Sequence, residues 1–178
     1  MGFIIGALMA CMLIWIISTR RRLYVLEENI DTAMNQIGVQ LSSRFDALLV
    51  LLDSIKDYRD NDVSAVMETV KARRNVITAK SMPEEVQEQE KVVSEALWRV
   101  LELAEQYPEL KEDANYLKRM NAVESYENML RVSRLIYNDS VTRLNRELQT
   151  FPTSWLAGVS GMHKRNYLEN TVGSSENI

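Results

Sequence analysis

Hydrophobic positions divide the chain into two regimes. Residues 3–17 read FIIGALMACMLIWII, fifteen positions without a charge. As a helix this run rises about 22 Å, and residues 1–19 rise about 28 Å. The hydrocarbon core of a bilayer is about 30 Å thick, so the longer stretch just crosses it. Beyond it, apolar residues recur at Leu23, Leu26, Ile30, Met34, Ile37, Leu41, Phe45, Leu48, Leu52 and Ile55, in steps of 3, 4, 4, 3, 4, 4, 3, 4 and 3. An eleven-residue period of this kind keeps one stripe aligned along a nearly straight helix. No proline precedes Pro83, and Gly38 is the one glycine between Gly6 and Gly158. The pattern predicts one continuous rod, running from the apolar segment to about Arg59.

The rest of the chain also reads as helix. Asp60-Asn61-Asp62 is a turn and capping cluster. Val63, Val66, Val70 and Ile77 mark a second helix ending near Lys80. Ser81-Met82-Pro83-Glu84 has capping-box spacing with an early proline. A third helix carries Val86, Val93, Leu97, Val100, Leu101 and Ala104, and Tyr107-Pro108 closes it. A fourth runs unbroken from about Glu109 to Gln149, with Leu110, Leu117, Met120, Leu130, Tyr137, Val141, Leu144 and Leu148 apolar, until Phe151-Pro152 stops it. No region alternates with period two, so no sheet is predicted.

The helix lengths set the geometry. The soluble parts of helices one and four each rise about 60 Å, and helices two and three about 27 and 33 Å. Short connections make neighbours antiparallel. The predicted fold is all-α: an N-terminal transmembrane helix (1–19) continuous with the first helix of an antiparallel four-helix bundle (20–152), then a membrane-interface segment and disordered tail (153–178). The half of the bundle nearer the membrane would contain only helices one and four. Either their stripe is completed by neighbouring copies, giving a homo-oligomer, or it is left modestly exposed.

Charge fixes the orientation of the span. The residues read as the membrane anchor are Phe3, Ile4, Ile5, Leu8, Leu13, Ile14, Trp15, Ile16 and Ile17, and Arg20, Arg21 and Arg22 follow at once. Arginines beside a span mark the cytoplasmic side, which predicts a single pass with the N-terminus outside and the bundle in the cytoplasm. A signal peptide would carry its positive charge before the apolar run. Leu8-Met9-Ala10-Cys11 resembles a lipidation box only loosely, and a buried core helix would not end in three arginines.

Composition removes most familiar chemistries. One cysteine and one histidine, Cys11 and His163, leave no disulfide framework and no thiolate or paired-histidine metal site. A net charge of −4 disfavours nucleic acid as a partner. There is no glycine-rich phosphate loop and no recognisable nucleophile–base pair, so no enzyme and no cofactor are expected. Glu124, Arg134, Asn138 and Asn145 fall amid the apolar spacing of helix four and are read as a paired polar layer that fixes helix register. Glu84, Glu85, Glu88 and Glu90 are read as a solvated helix start. Arg73 and Arg74 are read as a solvated face. Trp155, Leu156, Lys164 and Arg165 form the candidate interface segment, which either lies on the membrane or folds back on the bundle.

Several stretches together resemble the LemA family. They are Asn35-Gln36-Ile37-Gly38-Val39-Gln40-Leu41 with Arg44, Asp46 and Leu48; Tyr107-Pro108-Glu109-Leu110-Lys111; and Glu124, Arg134, Tyr137-Asn138, Val141, Asn145 and Phe151-Pro152. Ser42-Ser43, Val50, Asn61-Asp62 and Tyr126 depart from the family's usual residues. The resemblance implies a bacterial, membrane-anchored protein with a cytoplasmic helical bundle, and it brings no catalytic residues. Some relatives are linked to specialised membrane structures. The expected function is a structural one: a homo-oligomer that organises or shapes the inner membrane, with itself and the lipid bilayer as partners. The alternative is a tethered adaptor that presents its distal helical tip to a cytoplasmic protein.

Overall fold

The computed structural model describes residues 2–169. Its elements are α1 (Gly2–Ser54), α2 (Asp60–Arg73), α3 (Pro83–Gln106), α4 (Pro108–Glu112), α5 (Ala114–Gln149) and α6 (Thr153–Ser160). Among the described residues every regular element is helical. The predicted disordered stretch 171–178 lies outside them.

The apolar span and the amphipathic stripe do form one helix, the 53-residue α1. No residue of its most apolar window is buried in the protein, and the helix is long and apolar enough to cross a membrane. From Leu23 onward the predicted stripe turns inward: Leu23, Ile30, Met34, Ile37, Leu41, Phe45, Leu48, Leu52 and Ile55 are all core residues. Leu26 packs against their edge. The long antiparallel partner is α5, with α3 and α2 completing the bundle.

Three helix boundaries differ from expectation. Helix one ends at Ser54 and the chain turns through residues 55–58, where Tyr58 meets Tyr107 with ring centroids 5.9 Å apart. Helix two ends at Arg73 rather than Lys80, and residues 74–82 run as a non-helical connection across α1. Gly38 permits the crossing: a Cβ there would stand 3.0 Å from the Ile77 carbonyl carbon and closer still to its oxygen. Ile77 is buried as predicted, but in this connection rather than on a helix. The fourth helix is broken in two at Asp113, whose carboxylate accepts hydrogen bonds from the backbone N–H groups of Asn115 (2.6 Å) and Tyr116 (3.0 Å) and so caps α5. The new register buries Tyr116 and leaves Leu117 outside. At the start of α3 the capping box sits one residue later than the sequence spacing suggested. Glu85 accepts from the Met82 N–H at 2.6 Å.

The half nearer the N-terminal apolar run is not a bare helix pair. After α6 the chain turns at Gly161, whose φ of 69° lies in the left-handed region that glycine enters freely. Residues 162–169 then run back along α5. Leu168 is buried in the core and Met162 packs against it. The apolar stripe of this half is covered in part by the chain's own tail, through Leu168 and Met162.

Candidate functional site

Three of the four residues read as a polar layer, Arg134, Asn138 and Asn145, meet the backbone of that tail. The Asn145 side chain accepts from the Arg165 N–H and donates to the Arg165 carbonyl, both at 3.0 Å. The Asn138 side chain does the same to Leu168, both at 2.9 Å. Each amide thereby replaces a strand partner for one residue of an extended segment. The spacing matches because seven helical residues rise about 10.5 Å and three extended residues span about 10 Å. Tyr137 donates from its hydroxyl to the Asn166 carbonyl at 3.1 Å. Arg134 donates to the Glu169 carbonyl. Burial raises the Tyr137 hydroxyl above its ordinary value, the nearby Arg165 pulls it back down, and Glu84 and Asp31 push it up.

Glu124 does not belong to this layer. It is exposed, on the rim of a shallow groove between α3 and α5. The carboxylate that does meet Arg134 is Glu90, 3.0 Å away, with both side chains almost fully buried. Glu90 thus lies inside the bundle and not on a solvated helix start. The signal was its place four residues after Val86 and three before Val93, in the apolar stripe of α3. A second ion pair joins buried Arg44 to Glu127. Burial lowers the affinity of Arg44 for its proton, opposed by the charges of Glu127 and Glu90. Arg73 and Arg74 are held by the protein's own carboxylates. Arg73 meets Glu88 at 2.8 Å and Glu95 at 2.6 Å, and Arg74 meets Asp46 at 2.6 Å. Among the described residues no group of three His, Cys, Asp or Glu could hold a metal ion.

Side-chain amides clamp the other crossing segment as well. Gln89 accepts from the Asn75 N–H at 2.6 Å and donates to the Arg73 carbonyl at 3.0 Å. Asn35 accepts from the Ala79 N–H at 2.7 Å. A non-helical segment on a helix finds no backbone ladder there, so its N–H and C=O groups must find side chains or water.

The candidate interface segment splits in two. Arg165 faces α1 and reaches Glu27 at 3.3 Å and Asp31 at 3.4 Å, so it belongs to the bundle. Leu156 is buried, whereas Trp155 and Lys164 are exposed. At the same end of the molecule Arg22 meets Glu147 at 2.6 Å. Arg20 and Arg21 are open to solvent. At the other end, α2 and α3 form a groove of about 530 Å³ with Trp98 on its lip, 73% exposed.

A family model described as LemA family matches residues 33–178. No curated protein matches the chain.

Proposed function

The chain belongs to the LemA family, and from that premise we propose that it is a membrane-anchored structural protein that self-associates and organises or shapes the bacterial inner membrane. The observation that carries this reading is α1 itself, one helix that holds both the apolar span and the core stripe of the bundle. With no hinge between them, the bilayer fixes the bundle's orientation. Copies confined to one plane then meet in a common orientation, which raises their effective concentration. In this reading the N-terminus is outside, the bundle is in the cytoplasm, and the chain turns over no substrate.

The surface for self-association follows from which faces remain open. The tail occupies one side of the α1–α5 pair. Another side of α5 carries Met129, Val132, Leu135 and Ile136, all exposed and grouped within about two turns. An apolar cluster of this kind on a helix is a common interaction surface. Sedimentation of the full-length protein in detergent tests it. The expected result is an oligomer that Val132→Glu together with Leu135→Glu dissociates. A wild-type monomer would remove the self-association. Electron microscopy in lipid then distinguishes ordered clusters, as expected, from scattered single particles, which would count against a membrane-organising role.

A second reading rests on Trp98 and the α2–α3 groove, an exposed aromatic beside a trough of mixed lining, Val66, Val70 and Val92 with Arg73, Glu95 and Arg99, at the tethered bundle's far end. It makes the protein an adaptor for a cytoplasmic partner. If Trp98→Ala leaves every co-purifying protein in place, the adaptor reading fails.

A further inference from the structure

Two charge-free stretches lie side by side at one end of the molecule. In α1, residues 2–19 carry no charge, and Arg20 begins the charged part. In the C-terminal part, residues 148–162 carry none, between Glu147 and the run His163-Lys164-Arg165. The Arg22–Glu147 contact at 2.6 Å sets these two boundaries at the same level. From Glu147 the chain continues past that level in the direction of the span, and α6 packs against α5 and α1. Trp15, Ile16 and Thr19, the last turn of the uncharged span, are correspondingly half-buried, while residues 3–14 are exposed.

Helix α6 itself has two faces. Thr153, Leu156 and Ala157 are buried. Trp155 and Val159, four residues apart, are 59% and 73% exposed, and Phe151 in the turn before α6 is 83% exposed. Gly161 then turns the chain, and it re-enters the bundle where Asn145 holds Arg165.

We propose that residues 151–162 are a re-entrant segment seated in the membrane–water interface, with Phe151, Trp155 and Val159 among the lipid headgroups and upper acyl chains. The inference rests on reading α1 as a membrane span. Four observations select lipid over another occupant: the absence of charge across twelve residues, the shared boundary with the span, continuity with the lipid-facing surface of α1, and the exposed cations just above. Arg20, Arg21 and Lys164 stand where phosphate groups would meet them. An uncharged segment of 10–14 residues is too short to cross a bilayer and suits an interfacial position, and tryptophan favours that depth. The depth must be shallow. The non-helical backbone on either side of α6 would be left unsatisfied in the hydrocarbon core.

The test uses the full-length protein in vesicles of phosphatidylethanolamine and phosphatidylglycerol. Two single-tryptophan variants are compared. One keeps Trp155 (W15F with W98F), and the other keeps Trp15 (W98F with W155F). Each is quenched by lipid with a nitroxide near the glycerol, by lipid with a nitroxide at the chain end, and by aqueous iodide. The expected result for Trp155 is a loss of about half its emission to the shallow nitroxide, a smaller loss to the deep one, and little to iodide. Trp155 quenched by iodide while Trp15 responds to the nitroxides would overturn the proposal and leave the anchor standing. Trp155 shielded from all three quenchers would also overturn it, because a protein surface such as a second copy would then cover it. Both tryptophans open to iodide would remove the span itself and the proposed function with it. Far-ultraviolet circular dichroism of each variant shows whether the bundle is intact.

Discussion

Asn145 and Asn138 carry more of the fold than their size suggests, because each satisfies one donor and one acceptor of an extended segment that no strand accompanies. Asn145→Ala removes two hydrogen bonds and strands the Arg165 N–H. At about 0.5–1.5 kcal/mol for each net hydrogen bond, the expected loss is about 1–3 kcal/mol. Amide exchange should show that loss concentrated at residues 162–169; uniform weakening of the whole bundle would contradict a local clamp. Glu90→Gln removes the carboxylate facing a buried Arg134 guanidinium. Breaking a buried pair costs about 3–5 kcal/mol, and the low end is expected because Arg134 keeps the Glu169 carbonyl. Urea titration reads it, and a change below about 1 kcal/mol would mean the pair is solvated. Tyr137 supplies a pH dependence. Burial raises its pKa above the ordinary 10.0, so the folded state holds this proton more tightly than the unfolded chain. The associated stability is complete below about pH 10 and is lost as pH rises through the raised value. Tyr137→Phe should flatten that alkaline decline while Tyr116, also raised by burial, retains its own share. Thermal melts across the alkaline range compare the two proteins.

At the scale of elements, the connections decide more than the helices do. The stripe of α1 was legible because an eleven-residue period leaves little freedom over so long a helix. Connections have no period, and their path depends on what they cross. A glycine inside a helix costs about 1 kcal/mol relative to alanine, and Gly38 sits inside α1. In the fold it is the place where the 74–82 connection lies against α1. Gly38→Ala therefore gains helix propensity but drives a methyl group into backbone. Overpacking costs about 1–3 kcal/mol, and set against about 1 kcal/mol of regained propensity the expected net effect is a loss of up to about 2 kcal/mol in chemical unfolding. A stabilised G38A protein would show that the connection moves aside freely. Asp113 is the converse case. Neither glycine nor proline marks the break before α5, so the helix reads through in sequence, yet one capping carboxylate is enough to restart it. Glu90 was misplaced for a related reason. Its charge suggested solvent, while its spacing with Val86 and Val93 pointed inward.

For the whole molecule, the returning tail changes the account of the near half. Two helices alone cannot enclose an apolar stripe, and that deficit first suggested a homo-oligomer. Residues 162–169 fill part of it from within one chain, through Leu168, Met162 and the two asparagine clamps. The self-association proposed above would then use the opposite side of α5. Ending the chain after Gly161 should therefore bare Tyr137, Val141 and Leu144, lower the thermal midpoint, and increase the apparent mass in detergent. A truncated protein with unchanged melting and unchanged mass would show that the tail covers nothing of consequence.

Periodicity along the chain was sufficient to determine the long rod, the all-helical class and most of the α1 core, since those features depend on which residues recur on one face. The uncharged run before Arg20 likewise marked the part of α1 that is long and apolar enough to cross a membrane. What the tertiary structure alone decided is which distant, non-periodic segments the polar residues serve. Asn138 and Asn145 find backbone partners 30 and 20 residues away, and Arg134 finds Glu90 44 residues away. A local pattern cannot specify such pairings. They are set by the rise of a helix against the longer rise of an extended chain, and by which backbone groups the crossing leaves in need of a partner.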